Sequence, residues 1–214
     1  MNNEILPGVL YWTAVHERIH IDVSSYYFEE DGILLDPMVP IEGLDWFSDH
    51  VLPNRTLLSN RHHYRHSTKY QEAFGCTVWC HQSGLYEFTK GEMVNPFEFG
   101  HEFPGGIVAM EVASLCPEET AYHIPSSVGL IAFADGLVRD GDGPLSFVPD
   151  RFMSEDPEGV KRGLKEAFCR LLDCNFDHLL FAHGNPWIGR GKEALKQFVE
   201  EEEGILSQGN VYSP

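Results

Sequence analysis

Short apolar runs separated by turn residues fill the first sixty positions. The runs at 9–16, 20–30 and 32–37 are rich in β-branched and aromatic residues, which predicts strands, and "EDG" predicts a hairpin turn between the last two. The segment 41–53 instead carries apolar residues at helical spacing and ends in a proline, so it predicts a helix. A further apolar run at 56–60 leads directly into the sequence "RHHYRH".

The rest of the chain alternates strand patterns with helical ones. Apolar periodicity predicts helices at 66–75, 156–174 and 191–203, the second opened by an Asp-Pro pair. Strands are predicted at 76–81, 106–115, 120–125, 129–138 and 177–184. This order favours an α+β fold in which helices pack on sheets. Polar residues collect at the predicted strand ends, where such folds place their sites: His63, His66, Asp135 and His183.

Length and charge limit what the chain is expected to bind. At 214 residues it is long enough for one domain with a full hydrophobic core, which we assign to 1–214. Fifteen Lys and Arg against thirty-three Asp and Glu give a net charge of −18, which repels phosphate backbones and anionic lipid headgroups. We therefore expect neither nucleic acid nor membrane as a partner. The oligomeric state stays open, with a homodimer as one alternative.

Cysteine usage and the lack of a long apolar run bear on the compartment. The five cysteines are an odd count at spacings that fit no zinc knuckle, which predicts buried thiols in a reducing environment. No stretch approaches the roughly 18 apolar residues of a membrane helix, and the first residues show no signal-peptide pattern. These features predict a cytoplasmic protein.

Four short motifs stand in a consistent order along the chain: "GILLDP", "RHHYRH", "ADGLV" and "AHGNPW". In order and spacing this set resembles the "LIDTG", "HxHxDH", "GD" and "GHG" motifs of the metallo-β-lactamase-fold hydrolase superfamily, over nearly the whole chain. The resemblance implies a four-layer αββα sandwich. It also implies a site built around Asp135 and His183, which match their family counterparts.

The metal-binding motif departs from the family pattern. Aligned on "HxHxDH", the sequence "RHHYRH" puts Arg61 at a ligand His and Arg65 at the ligand Asp, and "LCPEE" puts Leu115 at another ligand His. A guanidinium offers five donors but no lone pair for a metal. The resemblance therefore implies a diverged member in which one of the two family metal sites is lost.

The second family site keeps a partial ligand set. His66, Asp135 and His183 supply two imidazoles and one carboxylate, which suit a single zinc, iron or manganese ion. A divalent ion near the Arg65 guanidinium costs several kcal/mol even at an effective dielectric of about 20. A bidentate Arg65–Asp135 pair would supply positive charge without a metal. We therefore expect no cofactor, with one metal ion as the alternative.

Two classes of function follow from these residues. The first is a hydrolase of ester, thioester or amide bonds, with Asp135, His63, His66 and His183 as the catalytic set. The second is a metal-free, non-catalytic small-molecule binding or regulatory protein. Basic groups around one carboxylate in an acidic protein would attract a small anionic ligand. The residues expected to bind it are Arg61, Arg65, Trp187 and His101.

Overall fold

A seven-stranded β-sheet opens the part of the chain that the computed structural model describes, residues 3–125 and 128–208. It is antiparallel over its first four strands and parallel from the fourth to the seventh. In order across the sheet the strands are β1 (Asn3–Leu6), β2 (Val9–Val15), β3 (Asp22–Phe28), β4 (Ile33–Leu35), β5 (Arg55–Leu57), β6 (Thr77–His81) and β7 (Val94–Phe97).

A second, five-stranded sheet faces the first. The strands that follow along the chain are β8 (Glu102–Phe103), β9 (Ile107–Glu111), β10 (Thr120–Ile124), β11 (Leu130–Phe133), β12 (Leu137–Arg139), β13 (Leu145–Phe147) and β14 (His178–Phe181). The order across this sheet is β14-β11-β10-β9-β8, and β12 pairs with β13 in a separate hairpin. Within it, β11 and β14 run parallel.

Three α-helices within the described residues cover the outer faces of the two sheets. Helix α1 (Ser67–Phe74) buries Tyr70 in the cluster outside the seven-stranded sheet. Helices α2 (Pro157–Leu171) and α3 (Gly191–Gln208) pack on the other sheet. The side chain of Asp156 caps α2, in agreement with the predicted Asp-Pro start. The layers follow the order αββα, so the predicted sandwich is confirmed.

Central strands bury both of their faces, which explains their unbroken apolar runs. On β4, Ile33 and Leu35 face the core between the sheets, whereas Leu34 faces the cluster outside the seven-stranded sheet. Successive side chains on a strand point to opposite faces, so a strand covered on both sides needs apolar residues at every position.

Two predicted elements differ from the structure. The helix predicted at 41–53 is only a 3-10 helix over Leu44–Asp49, in which Phe47 packs edge-on against Tyr27. Ile41 is 88% exposed and Val51 50% exposed, so one buried ring, and not an apolar stripe, anchors this segment. The strand predicted at 129–138 breaks between β11 and β12, and Asp135 lies in the break.

The thiols and helices of the structure bear on the compartment predictions. None of the five cysteines forms a disulfide; Cys76 and Cys80 are buried, but Cys169 is exposed, against the expectation of buried thiols. None of the helices within the described ranges is both long and apolar enough to cross a bilayer.

Candidate active site

The carboxyl ends of parallel strands from both sheets converge at one edge of the sandwich. Asp36 follows β4 directly, and the turn after β5 carries His63. On the facing sheet, Asp135 follows β11 and His183 follows β14. Open α/β sheets place their ligands at such ends. This edge is therefore where the chemistry of the protein is expected.

Asn60 shapes the turn after β5 and links it to the other sheet. Its Oδ1 accepts a hydrogen bond from the backbone N–H of His62 at 2.8 Å and so caps the 3-10 helix Arg61–Tyr64. That short helix turns His63 inward, where only 5% of it is exposed. The Asn60 side-chain amide donates to Asp135 Oδ2 at 2.8 Å. One asparagine thus holds both a histidine turn and a carboxylate.

A buried carboxylate orients the ring of His63. Nδ1 of His63 lies 2.9 Å from Asp36 Oδ2 and 2.8 Å from Ser59 Oγ. Asp36 also accepts the Ser59 hydroxyl at 2.5 Å and the Ser59 backbone N–H at 2.8 Å. A proton on Nδ1 satisfies Asp36 and leaves Nε2 directed at Asp135. Carboxylate–histidine pairs orient metal-ligating imidazoles in this way.

His63, Asp135 and His183 form a compact group of possible metal ligands. Asp135 Oδ1 lies 3.2 Å from Nε2 of His63 and 3.1 Å from Nε2 of His183. Neither contact is aligned as a hydrogen bond, and Oδ1 is buried without a hydrogen-bond partner. One ligand atom from each residue falls within a 4.8 Å span. Bonds of about 2.0–2.1 Å to one tetrahedral ion would separate the ligand atoms by about 3.3 Å, which both distances to Asp135 Oδ1 match; three such ligands suit a single metal with an open position.

A proton competes with a metal for this site. Burial by itself lowers the pKa of His63, but the Asp135 and Asp36 carboxylates raise it to about 9. Burial by itself raises the pKa of Asp135, but the charge on His63 and the adjacent ring of His183 hold it well below its usual range. With Arg65 nearby, the two carboxylates leave one negative charge to be balanced. Either a proton on His63 or a cation can balance it.

His66, expected to be catalytic and a metal ligand, lies outside this group. Its Nδ1 accepts the backbone N–H of Val39 at 2.9 Å, and its Nε2 lies 2.7 Å from Glu17 Oε1. Both ring nitrogens are therefore engaged elsewhere. Arg65, at a φ of +43°, turns the chain just before His66, so the last histidine of the motif faces away. His63 stands in the ligand group where His66 was expected.

The two arginines of the motif do not converge on Asp135. Nη1 of Arg65 donates to the carbonyl oxygens of Ser24 at 2.6 Å and Asp36 at 2.7 Å, so the bidentate Arg65–Asp135 pair expected from the sequence does not form. Nη2 of Arg65 is buried without a partner. Arg61 pairs with Glu118, whose side chain is fully buried. The buried carboxylate of Glu118 thus neutralises the positive charge of Arg61.

Trp187 and His101, expected to contact a substrate, lie away from the cluster. Trp187 packs under the Arg139 guanidinium, 4.5 Å from its ring centroid, and lines a separate groove beside α3. His101 is exposed and lies near Trp79 and Phe103, at ring-centroid distances of 5.9 and 4.5 Å. Trp187 was expected at the site because it is close in sequence to the "HG" turn, but sequence position does not determine whether its side chain faces the cluster or the groove beside α3.

A cleft of about 600 Å³ opens over the cluster. Its arginine and lysine side chains equal its carboxylates in number, so the local excess of positive charge expected from the sequence depends on the histidines that also line the cleft. The arginine and lysine side chains are Arg18, Arg61, Arg65 and Lys90, and the carboxylates are Glu17, Glu87, Glu92 and Asp135.

Sequence reasoning missed the buried acids that support the site. Asp36 stands in the "GILLDP" motif, and its place after a buried strand was a usable signal. Glu119 gave no such signal. Its Oε1 accepts the backbone N–H of Gly136 at 2.7 Å and its Oε2 that of Leu115 at 3.2 Å, so it braces the Asp135 turn. Burial raises the pKa of Glu119 to about 8, and Asp135 adds to the shift.

Comparisons with known proteins rest on structure alone. No protein-family model matches the chain, and no curated protein matches its sequence. A metallo-β-lactamase family protein from Thermus thermophilus superposes with a TM-score of 0.67 at 13% identity, over 96% of this chain and 82% of that one. A B3 metallo-β-lactamase with an active-site glutamic acid gives 0.65 at 12% identity, over 97% and 89%. This chain has the metallo-β-lactamase fold.

The fold does not select a reaction. The flavodiiron protein from Giardia intestinalis is also similar, with a TM-score of 0.62 at 14% identity, over 95% of this chain and 58% of that one. Proteins of different classes therefore share the architecture, and function has to be argued from the residues of the site. The roles assigned to Asp135, His63 and His183 stay predictions, although the structure brings the three side chains together.

Proposed function

We propose that this protein is a hydrolase that holds one divalent metal ion with His63, Asp135 and His183. The observation that supports it is Asp135 Oδ1, a buried carboxylate oxygen that lies between two imidazole nitrogens without a hydrogen bond. A divalent ion supplies Lewis acidity, which makes water a nucleophile near neutral pH. The chain supplies the orientation of the ligands and the cleft above them.

The surrounding residues keep the ligand atoms in place. Asp36 holds a proton on Nδ1 of His63, so the lone pair of Nε2 points to the cluster. Asn60 occupies the second oxygen of Asp135 and prevents the carboxylate from rotating. Both devices lower the reorganisation that binding or reaction requires.

The proposed reaction is hydrolysis of an ester, thioester or amide in a small anionic substrate. The oxygen of water bonds to the acyl carbon, the bond to the leaving group breaks, and the proton of water passes to that group. Arg65 favours an anion, because the residue lines the cleft and its guanidinium donates to backbone carbonyls and not to a carboxylate that would neutralise it. The charge of this guanidinium would attract a carboxylate or phosphate of the substrate.

A metal-free, non-catalytic binding protein is the second candidate. The pKa of His63, raised to about 9, favours it, since a protonated ring between Asp36 and Asp135 balances their charge without an ion. In that state Nε2 carries a proton and has no lone pair for a metal. The two candidates therefore differ in whether zinc displaces a proton.

Metal uptake separates the two candidates. Protein purified without an affinity tag is titrated with zinc against a chromophoric chelator, and bound metals are measured by elemental analysis. We expect one equivalent in the wild type and none in His63→Ala, Asp135→Ala or His183→Ala. His66→Ala is the matched control and should retain the metal.

Activity is then measured with p-nitrophenyl esters and a thioester, with and without zinc. We expect hydrolysis that depends on the metal and disappears in the three ligand variants. A folded wild-type protein that takes up no zinc, iron or manganese would overturn the hydrolase proposal in favour of the second candidate.

A further inference from the structure

The two histidines of the cluster have unequal support. Nδ1 of His63 is hydrogen-bonded to Asp36 and Ser59. By contrast, no side chain within residues 3–125 and 128–201 hydrogen-bonds to Nδ1 of His183; its ring contacts Asp135 through Nε2 alone. The position of the His183 ring therefore depends on the backbone that carries it.

A single arginine binds the loops around His183. The guanidinium of Arg139 uses Nε, Nη1 and Nη2 to donate hydrogen bonds to backbone carbonyls on two loops. The acceptors are Gly143 O at 2.8 Å, Asn185 O at 3.0 Å, Pro186 O at 3.2 Å and Asp142 O at 2.7 Å. Only a planar fork with donors on three nitrogens can serve such a set at once.

The backbone of Arg139 also contacts the turn that follows His183. Its N–H donates to the carbonyl oxygen of His183 at 3.1 Å. Gly184 has a φ of +105°, and a Cβ there would lie 2.5 Å from Arg139 O, so the two segments are in direct contact. The guanidinium lies 4.5 Å from the ring centroid of Trp187, which adds a cation–π contact. Arg139 thus contacts the loop at each residue from His183 to Trp187, although Ser24, Tyr11 and Leu179 also hydrogen-bond to this loop.

We propose that Arg139 is a positioning residue that sets the place of His183 in the ligand cluster. The inference rests on the proposed function only for the identity of the ligand, a metal ion. Arg139 does not touch the ion; it acts through the loop. A lysine keeps the charge but lacks the planar fork, so Arg139→Lys leaves loop carbonyls unpaired and loosens the loop.

The test compares zinc affinity in the wild type, Arg139→Lys and the control Arg151→Lys. Arg151 also lies over an aromatic ring, that of Phe152 at 4.6 Å, but it is not among the residues that line the cleft. Residues that orient metal ligands typically change metal affinity about 10–100-fold, and we expect a loss in that range for Arg139→Lys. Arg151→Lys should bind zinc as the wild type does.

A second readout separates this inference from the proposed function. The rings of His63 and His183 lie 6.0 Å apart between centroids, so a ring-to-ring nuclear Overhauser contact is expected in the metal-free wild type. Arg139→Lys should weaken it. If the wild type takes up no zinc, the proposed function fails, and this contact alone decides the role of Arg139. The inference is overturned if folded Arg139→Lys keeps the ring-to-ring contact and, provided that the wild type binds zinc, also keeps the zinc affinity of the wild type.

Trp187→Leu provides the test should Arg139→Lys fail to fold. It removes the ring beneath the guanidinium and leaves the hydrogen bonds of Arg139 in place. We expect a smaller loss of zinc affinity and a weaker ring-to-ring contact. Values equal to those of the wild type for both would contradict the inference.

Discussion

His63 and His183 face the same oxygen of Asp135 from opposite sheets, but the protein holds them by different means. His63 is buried and bound through its ring by Asp36 and Ser59, so its position is part of a side-chain network in the interior. The side chain of His183 is 22% exposed and depends on a loop. Changes on the His63 side should therefore reduce stability as well as ligand geometry, whereas changes on the His183 side should alter geometry with little cost to the fold.

Asp36→Ala is the change expected to have the largest effect on stability. The Asp36 side chain is 3% exposed and accepts bonds from Ser59 and His63. Removing one partner of a buried ion pair typically costs about 3–5 kcal/mol. Urea unfolding should show a loss of that size. Asp49→Ala, at an exposed position, is the control and should change little. An Asp36→Ala protein as stable as this control would contradict the comparison.

The two histidine substitutions should separate stability from metal binding. His63→Ala removes one hydrogen bond from buried Asp36 and a charged neighbour from Asp135, and the loss of a partner by a buried polar group costs about 1–3 kcal/mol. His183→Ala removes a partly exposed ring and should cost less. Both variants should lose zinc. Equal losses in the free energy of unfolding would show that the two histidines are supported alike.

Glu119→Gln should change how stability depends on pH. The folded pKa of Glu119 is about 8, against an ordinary value of 4.5, so the folded state holds a proton that the unfolded chain releases in this interval. The free energy of unfolding of the wild type should therefore fall as pH rises from about 4.5 to 8, by at most about 1.4 kcal/mol per unit from this group. Glu119→Gln should flatten the fall. An unchanged slope, measured by urea unfolding at pH 5, 6, 7 and 8, would rule out a buried neutral Glu119.

The smallest effect is expected for the contact between Glu17 and His66. The Glu17 side chain is 63% exposed, and an exposed pair contributes about 0–1 kcal/mol. Glu17→Gln should lower the melting temperature only slightly and leave zinc affinity unchanged. A large loss of zinc in this variant would return His66 to the metal site.

Several features of this protein could be predicted from the sequence. Unbroken apolar runs such as Ile33–Leu35 predict strands covered on both faces, and that requirement points to a layered sandwich. Asp135 and His183 could be placed at one site because both follow predicted strands, which the structure shows to be parallel neighbours. The net charge and the number and spacing of the cysteines follow from the sequence without knowledge of the fold.

Only the tertiary structure decided which members of "RHHYRH" enter the site. Three of the six residues are histidines that could ligate a metal, but a short 3-10 helix and the positive φ of Arg65 turn His63 inward and His66 outward, and no periodicity in the sequence indicates that turn. Arg139 was equally hidden, since its acceptors are backbone carbonyls, which every residue type offers. The alternation of buried and exposed positions can be recognised from the residue types. The direction of a loop side chain, by contrast, depends on contacts between segments far apart in the chain.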